Sequence, residues 1–262
     1  MSAMPAPQLD LSYSLDDKYT RQEGRIFLSG VQALVRLPLM QAQRDRAQGL
    51  KTGGFVSGYR GSPLGGLDQA LWHARKHLKT YEVEFTPGLN EDLAATMVWG
   101  SQQANLFPGA KYDGVFSMWY GKGPGVDRAG DALKHGNAYG SSPHGGVLVV
   151  AGDDHGCVSS SMPHQSDAAF QAWSMPVVSP ADLSDLIEFG LYGYALSRYS
   201  GGWVGLTALS EVVESGSTVD LDAMAGLAAA RIDAYLGKLV NGEAQFVEVP
   251  SPLVQALHLA EQ

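Results

Sequence analysis

A single unit recurs through most of this chain and constrains its fold: a short apolar run, a Gly-rich turn, then a segment of helical periodicity. Residues 53–59 (GGFVSGY) read as a buried strand, 60–66 (RGSPLGG) as a turn, and the segment from Leu67 as a helix. Short apolar runs bounded by Gly and Pro are strand signals, and apolar residues three and four apart mark a helix face. The unit returns at 82–86, a strand before a helix over 90–105, and at 114–120, a strand before GKGPG and a helix from Val126. Residues 145–151 (GGVLVVA) read as a strand followed by a helix over 164–172, and 176–178 and 202–206 as the last two strands. Strands alternating with helices predict an α/β fold, a doubly wound, mainly parallel sheet with helices on both faces. Ligands in such sheets collect at the carboxyl ends of the strands, where these Gly-rich turns fall.

The flanks read differently. Residues 1–20 carry Pro, Ser and Asp without a helical stripe and read as an extended arm. Residues 21–47 read as helical, with Ile26, Val31, Leu34, Val35 and Leu39 near one face, and Pro38 is expected to kink or end its first part. Further on, SPADL predicts a helix start with Ser179 as N-cap, Pro180 at the first position and Asp182 at the third, leading an apolar face of Leu183, Leu186, Ile187 and Leu191. Residues 209–222 read as loop and 223–240 as an Ala-rich helix. The expected organisation is an arm over 1–20, one α/β domain over 21–210, and a loop-and-helix tail over 211–262.

Composition narrows the function. A chain of 262 residues with 45% hydrophobic content can bury a large core. Only 17% of residues are charged and 32 are Gly, a surface suited to being covered by a partner. The net charge of -9 repels phosphate backbones, and Lys and Arg are scattered, so nucleic acid is excluded as a partner. One cysteine, Cys157, allows neither an internal disulfide nor a cysteine-ligated iron–sulfur cluster. The first residues lack the basic and apolar regions of a secretory signal, and no apolar run is long enough to cross a bilayer. A cytoplasmic protein without membrane association is expected.

Asn90 is a good N-cap and places Glu91 in the first turn of its helix, where an acid complements the helix dipole. Two more motifs flank it: GYRGSPLGG after the first of the recurring strands, and MWYGKGPGVDRAGDALKHG leading to GGVLVVAGDDHGCVSSSMPHQSD. In order and spacing the three motifs resemble the pyrimidine-binding domain of the 2-oxoacid:ferredoxin oxidoreductases, in their indolepyruvate branch. The resemblance covers residues 20–210 and is especially close to the long proteobacterial forms that fuse several domains.

The resemblance implies a thiamine-diphosphate site of which this chain holds the pyrimidine half. Glu91 matches the family's glutamate, the catalytic and cofactor-binding acid that shares a proton with N1′ of the pyrimidine and so promotes the imino tautomer of the cofactor. Ser62 matches a turn threonine and is implied as a hydroxyl donor to the substrate. Arg60 departs from the pattern, standing where the family has proline; a guanidinium there either binds a substrate carboxylate in a fork or is a solvated loop residue. Gly121 and Gly123 of GKGPG read either as a tight turn or as a close backbone approach to the cofactor, since the spacing is not that of a dinucleotide fingerprint. Lys122 either reaches an anion or is an exposed loop lysine.

The polar residues Asp153, Asp154, His155 and His164 lack metal-ligand spacing, and no metal is assigned to them. No Gly-Asp-Gly diphosphate motif is present. Mg2+, the diphosphate-binding domain, the iron–sulfur clusters and the electron-transfer domains are therefore expected elsewhere, on another chain or on sequence missing from this one. The isolated chain is expected to be inactive and to self-associate as a homo-oligomer. The intact enzyme would decarboxylate an aryl or branched 2-oxoacid oxidatively, with coenzyme A and ferredoxin. The alternatives are a non-catalytic assembly module and a non-redox thiamine enzyme of decarboxylase or transketolase type. A hydrolase triad of Ser159, Ser160 or Ser161 with His164 and Asp167 is a weaker option, as no G-x-S-x-G elbow occurs.

Overall fold

A computed structural model describes residues 10–224. Residues 1–9 and 225–262 lie outside the described residues, and with them most of the expected C-terminal helix. The described elements begin with α1 (Asp17–Thr20), β1 (Arg25–Ser29), α2 (Gly30–Ala47), β2 (Thr52–Gly58), α3 (Leu67–His73), α4 (Arg75–Thr80) and β3 (Val83–Phe85). They continue with α5 (Glu91–Gln102), a 3-10 turn (Ala104–Leu106), β4 (Gly114–Lys122), α6 (Gly123–Arg128), α7 (Gly130–Tyr139) and β5 (Val147–Asp153). The last are α8 (Asp167–Ala172), β6 (Val177–Val178), α9 (Leu183–Ser200), β7 (Val204–Leu209), α10 (Ser210–Val213) and β8 (Gly216–Asp220).

Six strands form one parallel sheet in the order β3-β2-β4-β5-β7-β6. Both faces are covered, which is why the central strands are apolar on successive residues rather than alternate ones. Phe116, Met118, Tyr120, Leu148 and Val150 pack on one face with residues of α2, α3 and α9. Trp119, Val147, Val149 and Ala151 pack on the other with α5, α6, α7 and α8. This is the doubly wound architecture expected from the alternating pattern. The chain runs from β2 out to β3 and returns past β2 to β4. The connections leaving β2 and β4 therefore diverge, and a crevice opens between the ends of those two strands.

Five expectations are corrected. Residues 21–47 are not one helix: β1 precedes α2, and the break falls at Ser29. There the Gln32 amide donates to Ser29 Oγ at 3.3 Å while the Ser29 amide donates to Gln32 Oε1 at 3.0 Å, a reciprocal cap. Residues 209–222 are not loop, because β8 pairs antiparallel with β1, from Arg25 opposite Asp220 to Ser29 opposite Gly216. Pro38 does not end the helix: α2 runs through it to Ala47, held by the burial of Leu34, Leu37 and Leu39. The N-cap of α9 is Asp182, whose extended backbone lets its carboxylate accept the Asp185 amide at 2.9 Å, while Ser179 bonds Thr207 across to β7. The arm also carries structure beyond an extended strand. It contains α1, and buried Arg36 donates to the carbonyls of Lys18 and Arg21, both at 2.6 Å.

Candidate functional site

The carboxyl end of the sheet gathers the residues singled out above. Tyr59 donates its amide to the Tyr120 carbonyl at 3.0 Å, tying the end of β2 to β4. Gly88, just before α5, donates to the Gly58 carbonyl at 2.8 Å. The turn after β2 then folds across its neighbours. A Cβ at Gly61 would lie 2.9 Å from Lys122 Cβ, and one at Gly152 would lie 2.9 Å from Leu64 Cγ. These two glycines let the turn lie flat over the ends of β4 and β5. Pro63 and Leu64 are buried beneath it, Ser62 is half-buried, and Arg60 is exposed on the rim. Tyr120 donates its hydroxyl to Asp68 at the start of α3. Burial first, and that bond second, push the Tyr120 hydroxyl well above its ordinary range.

Glu91 sits across the crevice. Asn90 caps α5 by accepting the Leu93 amide at 2.9 Å, as its residue type predicts. The Glu91 carbonyl accepts from Trp119 Nε1 at 3.1 Å, which fixes the first turn of α5 to β4. Its side chain is 15% exposed, and its Oε2 lies 3.6 Å from Arg128 Nε. Arg128 also bonds the Asp92 carboxylate at 3.0 Å. Glu91 Cγ rests against α6, where a Cβ at Gly125 would come within 2.7 Å. The carboxylate thus has Arg128 beside one oxygen and the bare backbone of Gly125 beside the other.

GKGPG is not a loop: β4 runs to Lys122, and α6 starts at Gly123 without an intervening turn. A Cβ at Gly121 would meet the Trp119 ring at 2.5 Å, and one at Gly123 would meet His164 Nδ1 at 2.2 Å. Internal packing therefore accounts for the lack of a side chain at both. Lys122 donates to the Ser159 carbonyl at 3.3 Å.

His164 and its neighbours form a second polar group behind α6. Its Nε2 is 2.8 Å from Asp127 Oδ2 and its Nδ1 is 3.5 Å from Asp153 Oδ1. Asp153 is fully buried at the end of β5 and accepts the Ser166 amide at 2.8 Å and the Ser166 hydroxyl at 2.6 Å. Asp154 accepts the amides of Ser159 (2.8 Å) and Val158 (2.9 Å), which together hold its carboxyl below the usual range. Both nitrogens of His164 face carboxylates, and the Ser159 amide is bound to Asp154, so the arrangement does not make a serine triad. Among the described residues no three His, Cys, Asp or Glu side chains converge as a metal cage would require, and no helix is long and apolar enough to cross a membrane.

Sequence reasoning singled out Glu91, Ser62, Arg60, Gly121 and Gly123, and in the fold each lies at or shortly after the carboxyl end of β2, β3 or β4. It missed Arg128 as the partner of Glu91 and the Asp127–His164–Asp153 group. Arg128 and Asp127 sit side by side in GVDRAG, but nothing local signals that one turns to α5 and the other to the loop after β5.

No known family profile and no curated protein matches this sequence. Among solved structures, the chain is similar to a 2-oxoglutarate:ferredoxin oxidoreductase from Magnetococcus marinus, determined with 2-oxoglutarate, coenzyme A and succinyl-CoA bound. The two share 21% identity with a TM-score of 0.57, over 76% of this chain. The match spans 32% of the length of that structure. The likeness establishes a shared fold.

Proposed function

We propose that this chain is the pyrimidine-binding part of a thiamine-diphosphate-dependent 2-oxoacid:ferredoxin oxidoreductase, and of its indolepyruvate type. The observation that carries the reading is Glu91: a largely buried carboxylate in the first turn of α5, at the end of the sheet where the connections leaving β2 and β4 diverge. The fold shared with a 2-oxoglutarate:ferredoxin oxidoreductase supports it.

The residues fit the pyrimidine half of the cofactor. The wall beside Glu91 is Gly125, whose missing side chain leaves the room that the Glu91 carboxylate occupies, its Oε1 lying 2.8 Å from where a Cβ would stand. When bound, thiamine diphosphate supplies the carbon nucleophile that attacks a 2-oxoacid carbonyl. Glu91 shares a proton with the pyrimidine N1′, and general acid–base groups of this kind contribute about 10²–10⁴-fold. Arg128 orients Glu91 and keeps its carboxylate from wandering. Ser62 donates its hydroxyl to the substrate, and Arg60, on the rim, takes the substrate carboxylate in a fork. Gly121 and Gly123 border the site as bare backbone. Mg2+, the diphosphate-binding domain, the iron–sulfur clusters, coenzyme A and ferredoxin belong in this reading to other parts of the enzyme. An aryl or branched 2-oxoacid is the proposed substrate and the cytoplasm its place.

Calorimetry with thiamine diphosphate and Mg2+, on this chain alone and mixed with a diphosphate-binding domain, tests the reading. Binding and C2-proton exchange only in the mixture are expected, with exchange lowered about 10²-fold or more in Glu91→Gln. Absence of binding in every mixture overturns the thiamine reading in favour of an assembly module. Decarboxylation without electron transfer to ferredoxin in the complete enzyme points to a non-redox thiamine enzyme instead.

A further inference from the structure

Three features place His164 in mechanical contact with Glu91 by way of one short helix. The first is its burial, at 11% exposure, between two carboxylates from different elements. The second is packing: the His164 ring lies so close to Gly123 that a Cβ there would come within 2.2 Å of Nδ1. The third is the layout of α6. Gly123 and Asp127 of this helix meet His164, while Gly125 and Arg128 meet Glu91. The helix is a wedge clamped on one side by an imidazole and on the other by the candidate cofactor acid.

The groups around the imidazole are nearly all accounted for. From α6 comes Asp127; its neighbour Arg128 turns the other way, to Glu91 and Asp92. From the end of β5 come Asp153, bound to Ser166, and Asp154, whose carboxylate is taken by the amides of Val158 and Ser159. Lys122, at the end of β4, is held by the Ser159 carbonyl, and the Cys157 thiol donates to the Ser160 carbonyl at 2.9 Å. His164 Nδ1 has no hydrogen-bond partner although it is buried, and the nearest charge is Asp153 Oδ1 at 3.5 Å. A neutral imidazole can satisfy only one of the two flanking carboxylates as a donor; the imidazolium can satisfy both.

We propose that His164 is a positioning residue for Glu91, acting through α6: when doubly protonated it draws Asp127 toward Asp153 and seats Gly125 and Arg128 against Glu91. The effect on catalysis rests on the reading of Glu91 as the pyrimidine acid, whereas the coupling between the two side chains does not. The Asp127 carboxylate is the link, and it is 63% exposed, so it can be altered without opening the core.

The test follows the Glu91 side-chain carboxyl carbon and the His164 ring by NMR across a pH titration of the chain without cofactor, in the wild type, His164→Gln and Asp127→Asn. In the wild type the Glu91 resonance is expected to show its own inflection and a second one coincident with that of the His164 ring. The second inflection is expected to vanish in both variants. A single Glu91 inflection in the wild type overturns the proposal. So does a second inflection that survives in Asp127→Asn and follows the ring, because direct electrostatics across the gap would then suffice. A purely structural role for His164 produces no second inflection at Glu91 in any protein. Should His164→Gln fail to fold, Asp127→Asn still decides. Thiamine binding is not part of the measurement, so failure of the thiamine reading would leave its outcome intact.

Discussion

Asp45 is a buried charge on which three elements meet. It is fully buried, and Arg198 grips both its oxygens, at 2.7 and 2.8 Å. Thr52 Oγ1 (2.6 Å) and Gln41 Nε2 (2.8 Å) complete its shell, so α2, α9 and the start of β2 meet on one carboxylate. Removing one partner of such a pair strands the other charge, a loss of about 3–5 kcal/mol. Asp45→Ala should lower stability by that amount in urea unfolding, and the double variant with Arg198→Met should recover much of it. Tyrosines supply a second test. Burial raises the Tyr19 hydroxyl to about 12 and lifts those of Tyr120 and Tyr194 further. In the unfolded chain these groups ionise near their ordinary value of about 10. The native state therefore holds more protons above that pH, and its stability, complete below about 10, falls as the pH rises through about 12. An alkaline titration should show tyrosinate absorbance from these three appearing together with loss of circular dichroism. A smooth titration of all 11 tyrosines before unfolding would contradict it.

At the scale of elements, the start of α2 is a tight junction. A Cβ at Gly30 would lie 2.4 Å from Val213 Cα and 2.6 Å from its carbonyl oxygen, backbone that cannot swing aside. Gly30→Ala should push α10 away, strip exchange protection from the β8 amides and cost about 1–3 kcal/mol. Ser29→Ala, which removes only the cap, should cost about 1 kcal/mol and leave the β8 amides protected. The same region shows where sequence reading stops. The central strands were legible because burial on both faces writes itself as unbroken apolar runs, as in VLVV of β5. The helix start at Glu91 was legible because Asn90 is a local signal. β1 and β8 were not, since each is short and gains its structure from a partner far along the chain, and the GSTVD of β8 leaves its first three residues exposed. Asp182 displaced Ser179 as a cap because Thr207, on another strand, claims the serine hydroxyl. In the site, positions on strand ends could be read, while the turning of Arg128 to Glu91 and Asp127 to His164 is a tertiary fact with no local trace.

At the scale of the molecule, the six-stranded sheet and the β1–β8 ribbon differ in what supports them. A two-stranded ribbon is marginal alone and depends on Ile26, Leu28 and Val219 beneath it. Native-state hydrogen exchange should show the ribbon opening at lower free energy than β4 and β5, as a separate cooperative step. Equal protection throughout would mean that the packing makes them one unit. The ribbon has a further consequence. Leu221 donates its amide to the Gly24 carbonyl at 2.9 Å, so the stretch from residue 24 to residue 221 begins and ends at a single doorway. A body wired in this way can be lifted out of one polypeptide and spliced into a loop of another with hardly any slack in the joins. It can equally be permuted, its doorway sealed by a few residues and new termini cut at a surface turn.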